Sequence, residues 1–157
     1  DVLIEPQMKV TQVPKVLGID GVQKMSKSLN NDIEISASAE ETTKRVMQMV
    51  TDPQRQRRTD PGRPEVCNVF SLHKVFSNTE EVGMVDRECR QAGIGCVECK
   101  QLLARNINAH FEPFRQRRAA MDAEPQKVWD ILADGASRAR VIADQTMREV
   151  HNAIGLP

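Results

Sequence analysis

Aromatic side chains are scarce, with four Phe, one Trp and no Tyr in 157 residues. A platform for single-stranded nucleic acid needs flat side chains spaced along a groove, so the composition argues against that mode of binding. No apolar run approaches the roughly 20 residues that cross a bilayer, which argues against a membrane role. An excess of one charge sign is also missing, since 22 Lys and Arg face 22 Asp and Glu. Any polyanion partner must therefore be met by local patches and not by the overall field. The opening stretch "DVLIEPQMKV" has no initiator Met and no basic segment leading into an apolar one. The expectation is a cytoplasmic protein without a secretory signal, cut from a longer chain.

What is present fits a globular protein: 39% apolar and 28% charged residues in a length suited to one domain or part of a larger one. Residues 1 to 35 mix Pro6, Pro14, Gly18 and Gly21 with short β-branched pieces, "DVLIE" and "DIEI", and read as strand ends and loops. From Ser38 onward the period is helical. Ser38 and Glu41 have capping-box spacing, and Val46, Met49 and Val50 mark one face of a helix that must stop by Asp52, before Pro53. A second helix is predicted over residues 64 to 77, with Val66, Val69, Phe70, His73 and Phe76 inward. A third runs from Thr79 to Ala92 and ends at Gly93. A fourth spans residues 97 to 121 around Leu102, Leu103, Ile107 and Phe111, with a kink expected at Pro113.

After Glu124 the pattern predicts two helices divided near Asp134 and Gly135. Their core positions are Val128, Trp129, Ile131, Leu132, Val141, Ile142, Met147, Val150 and Ile154. The expected fold class is mainly α, a helical bundle following a β-containing remnant, divided at residues 1–35 and 36–157.

The stretch "VQKMSKSLN" (residues 22–30) has neither helical nor strand period. It presents Lys24 and Lys27 with Ser26 and Ser28 on a loop. Lys is a mobile point charge and Ser a donor to phosphate oxygens, so the loop suits a polyphosphate, although the P-loop spacing is absent. A solvated basic loop is the plainer alternative.

The full "KMSKS", set between "PKVLGIDGVQ" and "LNNDI", resembles the signature loop of class I aminoacyl-tRNA synthetases. The stretches "VTDPQRQRRTDPGRPEVCNVFSLHKVF", "HFEPFRQRR" and "DGASRARVIADQTMREVHNAIGL" extend the likeness over nearly the whole chain, to the C-terminal half of the bacterial tryptophanyl family. That resemblance implies the end of a Rossmann-type nucleotide domain followed by a helical anticodon-binding domain. It implies ATP and Mg2+ as cofactor and ion, and tryptophan and tRNA(Trp) as partners. It also implies a homodimer at full length. Lys24 and Lys27 would be the catalytic cations over the departing pyrophosphate, Lys27 making the transition-state contact. Ser26 and Ser28 would add hydrogen bonds, Met25 would seat the loop or pack near adenine, and backbone at Val16 would touch adenine. The family's H-x-G-H-type ATP motif does not occur in this sequence, so the chain by itself is expected to be inactive.

All four cysteines lie in the pattern C-x21-C-x6-C-x2-C, at Cys67, Cys89, Cys96 and Cys99. In a reducing compartment this reads as metal chemistry, zinc or a [4Fe-4S] cluster, with a buried unliganded Cys67 as the plain alternative. Resemblance to a subset of the bacterial family implies the iron–sulfur cluster. Arg55, Arg57 and Arg58 crowd one loop and Arg115, Arg117 and Arg118 one helix. Arg55, Arg57, Arg58 and Arg115 are the candidates for tRNA phosphates, against internal ion pairs with Asp52, Asp60, Glu112 and Asp122. His73, His110 and His151 read as satisfied helix residues and Trp129 as a core anchor. A non-catalytic, metal-stabilised RNA-binding module and a tyrosyl or other class I synthetase remain the alternatives at this stage.

Overall fold

Helix formation starts where a side chain can replace the missing turn. In the computed structural model, which describes residues 2–10, 13 and 15–156, Ser38 Oγ accepts the Glu41 N–H at 3.1 Å and the Glu41 carboxylate accepts the Ser38 N–H at 3.1 Å. This reciprocal cap opens α1, Ala39–Gln48, as its spacing predicts. A 3-10 turn at Pro64–Val66 precedes α2, Asn68–Phe76, so the predicted second helix is broken at Cys67. Asn78 caps α3, Thr79–Arg90, by accepting the Glu81 N–H at 2.8 Å. The left-handed residue beyond α3 is Ala92, at φ 56°, and not Gly93.

Helix α4, Cys96–Ala123, continues through Pro113, and α5 is Pro125–Ile154. Proline at position 113 removes the N–H that would meet the Ala109 carbonyl, and the helix runs on regardless. The two helices expected after Glu124 are thus one. Gly135 does not break it, because a Gly in an exposed helix interior costs only about 1 kcal/mol and needs no special φ. No β-strand occurs among the described residues. Only Leu17 and Lys24 form an isolated antiparallel bridge, and Asp1 and Pro14 of the expected β-containing segment lie outside the described residues.

The chain divides into two units. In the unit Thr11–Gln116, α1 to α4 contribute a core of Val46, Met49, Val69, Phe70, Leu72, Val85, Cys99, Leu103, Ala104 and Ile107. On α4 the spacing 99, 103, 107 is the four-residue step of a single buried stripe. Val50 and Val66, expected inside, are exposed, since each lies beyond the helix that would have turned it inward. In the unit Asp1–Val10 with Arg117–Pro157, α5 has no buried residue. Trp129 and Ile142 are 65% and 70% exposed, and of the nine positions expected in a core only Val128 and Val150 are even half-buried. Period alone marks an apolar stripe without supplying what covers it. No described helix is long and apolar enough to cross a membrane.

Replacing Gly135 by Ala is expected to raise helix stability by up to about 1 kcal/mol in denaturant titrations, since no atom lies within 4 Å of the added Cβ. A loss of stability would instead place a helix break at that position.

Candidate functional site

The lysine loop is built on a turn that its own side chains tie. Gly18 N–H donates to Gln23 O at 2.9 Å and Gly21 N–H to Gly18 O at 2.9 Å. Asp20 Oδ1 accepts the N–H groups of Val22 and Gln23 at 2.8 and 3.1 Å, an Asx turn that holds its carboxyl below the usual range, with the Asn31 amide assisting. Met25 N–H donates to Val16 O at 3.0 Å, so the two residues singled out around adenine are neighbours. Residues Lys27–Leu29 form one 3-10 turn, closed by Asn30 in the left-handed region at φ 49°. The Ser26 and Ser28 hydroxyls meet at 2.9 Å. Lys24 and Lys27 point their ammonium groups toward solvent, with Lys27 Nζ 3.9 Å from Glu34.

A residue that sequence reasoning passed over sits at the centre. Asn31 is 3% exposed. Its Nδ2 donates to Asp20 Oδ2 at 2.6 Å and to Lys24 O at 3.4 Å, and its Oδ1 accepts the Ser26 N–H at 2.8 Å. Gly18 makes the space, because a Cβ there would stand 2.2 Å from Asn31 Nδ2. The helices hold this turn in place. Asn68, first residue of α2, donates to Gly18 O at 2.7 Å, and Val50 N–H donates to Ile19 O at 2.9 Å. Arg45 of α1 reaches Asp32 O at 2.9 Å and Asn30 O at 2.6 Å. The only sequence signal for this arrangement was the pairing of "IDG" with "LNN" on either side of the lysines.

The four cysteines come from three helices. Cys67 precedes α2, Cys89 lies on α3, and Cys96 and Cys99 lie on the first turn of α4. All four are free thiols. Burial pushes Cys99 up to about 12, reinforced by the other three thiols, and burial likewise raises Cys89 against the pull of Arg55. Cys99 therefore feels all three other thiols, and Cys89 feels Cys67 and Cys96. Gly62 is required beside them, since a Cβ there would lie 2.4 Å from Cys89 Sγ. Among the described residues no three His, Cys, Asp or Glu side chains are placed together to hold a metal, so neither the zinc nor the iron–sulfur expectation gains support from this arrangement. Arg55 Nε, buried without a partner next to Cys89, is a cation facing this region.

Three of the four arginines picked out for RNA are engaged by the chain itself. Arg55 donates to Arg58 O at 3.1 Å and Ile94 O at 2.8 Å. Arg58 donates to Ala92 O and Gly93 O and lies 3.6 Å from Glu98. Arg115 donates to Thr42 Oγ1 at 2.9 Å and Asn108 Oδ1 at 3.0 Å. Arg57 is exposed; its backbone N–H donates to Asp60 Oδ2 at 2.7 Å and its carbonyl accepts the Asp60 N–H at 3.1 Å. Asp52 pairs with none of the loop's first three arginines. It makes a two-pronged contact with Arg63 at 2.7 and 3.0 Å, which lowers its carboxyl to about 2. His73 is a satisfied core residue as expected: its ring lies 2.7 Å from Ser77 Oγ and 3.2 Å from Cys99 O, and burial lowers its pKa.

Residues 4–112 match the family described as class I tRNA synthetases (W and Y). The chain is 44% identical over 154 residues to the tryptophan–tRNA ligase of Aquifex aeolicus, covering 98% of this chain and 39% of that protein. It is 40% identical over 157 residues to that of Thermotoga maritima, covering 99% of this chain and 48% of that protein. A crystal structure of tryptophanyl-tRNA synthetase from Campylobacter jejuni complexed with ADP and tryptophan superposes with a TM-score of 0.78 at 32% identity. It covers 92% of this chain and 44% of that one. The chain thus spans less than half the length of these relatives.

The lowered pKa of His73 means that the folded protein resists the proton an unfolded chain takes up near pH 6.5. Its stabilising contribution is complete above pH 6.5 and erodes as pH falls below that. Urea titrations at pH 7.5 and 5.5 are expected to show lower stability at the acidic value, and His73→Gln is expected to remove most of that difference. An unchanged pH dependence in the variant would contradict the assignment.

Proposed function

Because the chain belongs to the class I tRNA synthetases for tryptophan and tyrosine, we propose that it is the part of a tryptophan–tRNA ligase that carries the pyrophosphate-facing loop and the helical tRNA-binding region. The names of the relatives at 40% and 44% identity support tryptophan over tyrosine. In this reading residues 1–35 end a Rossmann-type nucleotide domain, and residues 36–157 form an anticodon-binding type of domain. The tryptophan pocket, the second ATP motif and most of the homodimer contacts belong to sequence outside this chain, and the ligase works in the cytoplasm.

The chemistry is an in-line displacement. The tryptophan carboxylate attacks the α-phosphorus of ATP, the bond from that phosphorus to the bridging oxygen breaks, and pyrophosphate leaves with the electron pair. Mg2+ bound with ATP would supply charge neutralisation on its phosphates. Lys24 and Lys27 add preorganised positive charge where negative charge grows in the transition state. The observation that carries this role is the loop itself, whose backbone is fixed from within while both ammonium groups stay open to solvent. Ser26 and Ser28 offer hydroxyls beside them, and Met25, half-buried and bonded through its N–H to Val16, seats the loop. The Val16 carbonyl is occupied by that bond, which leaves other atoms of this residue to meet adenine.

For tRNA, Arg57 is the open cation among the four candidates, while Arg55 and Arg58 brace the loop that carries it and Arg115 is held by Thr42 and Asn108. Cys67, Cys89, Cys96 and Cys99 would hold a [4Fe-4S] cluster that ties α2, α3 and α4 together. Their shared environment and the sparse apolar side of α3, where Val85 alone is buried, support this structural role.

In the ligase containing this chain, Lys24→Ala and Lys27→Ala are each expected to slow tryptophan-dependent ATP–pyrophosphate exchange by about 100-fold, with tyrosine inactive as substrate. A double variant exchanging at the unmodified rate would overturn the assignment. Protein prepared without oxygen is expected to be coloured and to carry about four iron atoms per chain. Colourless protein with four titratable thiols would exclude the cluster.

A further inference from the structure

Lys24 and Lys27 have long, exposed side chains whose single recorded contact is a 3.9 Å approach of Lys27 to Glu34. That long, exposed contact holds Lys27 only loosely, so the placement of both ammonium groups depends on where the backbone starts them. Their starting points are set by the backbone on either side of Met25. That backbone is gripped by one side chain: Asn31 takes the Ser26 N–H on its oxygen and gives its nitrogen protons to Lys24 O and to Asp20. The amide is fully used and buried, so it can rotate only by losing bonds it cannot replace with water. Asp20 in turn has its other oxygen bound to the N–H groups of Val22 and Gln23. The turn base is then fastened to the helical core through Asn68 and Gly18.

We propose that Asn31, oriented by Asp20, is a positioning residue for adenylate formation: it fixes the peptide planes flanking Met25 and thereby the origin from which both lysines reach the departing pyrophosphate. The proposal rests on the ligase reading above. Asn31 touches no substrate. It acts through the lysines, so its loss raises the barrier of the chemical step and leaves the tryptophan site unaltered.

A charge-and-amide exchange isolates the Asn31–Asp20 bond. Asn31→Asp removes both nitrogen donors and sets two carboxylates against each other at the 2.6 Å contact. Asp20→Asn sets two amides there. The double variant restores the bond with its direction reversed, because Asn at position 20 can keep its oxygen on Val22 and Gln23 and donate its nitrogen to Asp at position 31. In full-length ligase, each single variant is expected to lower kcat for tryptophan-dependent pyrophosphate exchange by about 10- to 100-fold, with KM for tryptophan unchanged. The double variant is expected to recover part of the loss, because the bond to residue 20 returns while the donation to Lys24 O does not. Melting curves accompany each assay, and either single variant closes the argument if the other fails to fold. Singles with unchanged kcat, a double variant no better than the singles, or an equal rise in tryptophan KM would overturn the proposal. Failure of the unmodified ligase to exchange with tryptophan would instead overturn the ligase reading.

Discussion

The buried amide of Asn31 is the constraint on which the lysine loop depends. A segment with two lysines, two serines and no regular structure has little to hold it, because its polar groups are as well served by water as by one another. One side chain that accepts from Ser26 and donates to Lys24 and Asp20 changes that balance, since breaking it would leave several polar groups unpaired in a place with 3% exposure. The surroundings are arranged for it: glycine at position 18 leaves the room, and Asn68, Val50 and Arg45 tie the turn to helices α1 and α2. Rigidity in the backbone and freedom in the lysine tips are compatible. Fixed origins with solvent-exposed charged ends are what the proposed meeting with phosphate oxygens would call for.

Much of this was legible in the sequence wherever the signal is local. The Ser38–Glu41 box and the stripe at Leu103 and Ile107 follow from spacings of three or four residues, and the stop before Pro53 from the proline itself. What was not legible depends on contacts between residues far apart in the chain. Beyond the pairing of "IDG" with "LNN", no local spacing announces that Asn31 will bond Asp20 eleven residues earlier, or that Asn68 will bond Gly18 fifty residues before it. The same limit explains the arginines. Their crowding near residue 55 looked like a phosphate patch, and the carbonyls of Ala92, Gly93 and Ile94 that take up Arg55 and Arg58 come from the end of another helix. In α5 the glycine at position 135 looked like a boundary, yet open space around it lets the helix continue.

The thiols and the loop meet in one short stretch of chain. Cys67 belongs to the thiol group, and its neighbour Asn68 holds the carbonyl of Gly18 under the lysine loop. Whatever sets the position of the start of α2 is therefore one residue removed from the turn that carries the loop. This gives the cysteines a structural reason to lie where they do, apart from any transfer of electrons. Family membership and likeness to solved synthetases identify the chain's relatives. The bonds around Asn31 describe how this particular sequence keeps its signature loop in shape.

The central claim is that the lysine loop is already folded before any nucleotide arrives, and amide hydrogen exchange on the ligand-free protein tests it most directly. The amides of Met25 and Ser26, bonded to Val16 O and Asn31 Oδ1, are expected to exchange many times more slowly than that of Ser28 in the same loop. Equal, unprotected exchange at all three would contradict it and would mean that the loop takes its shape only on binding.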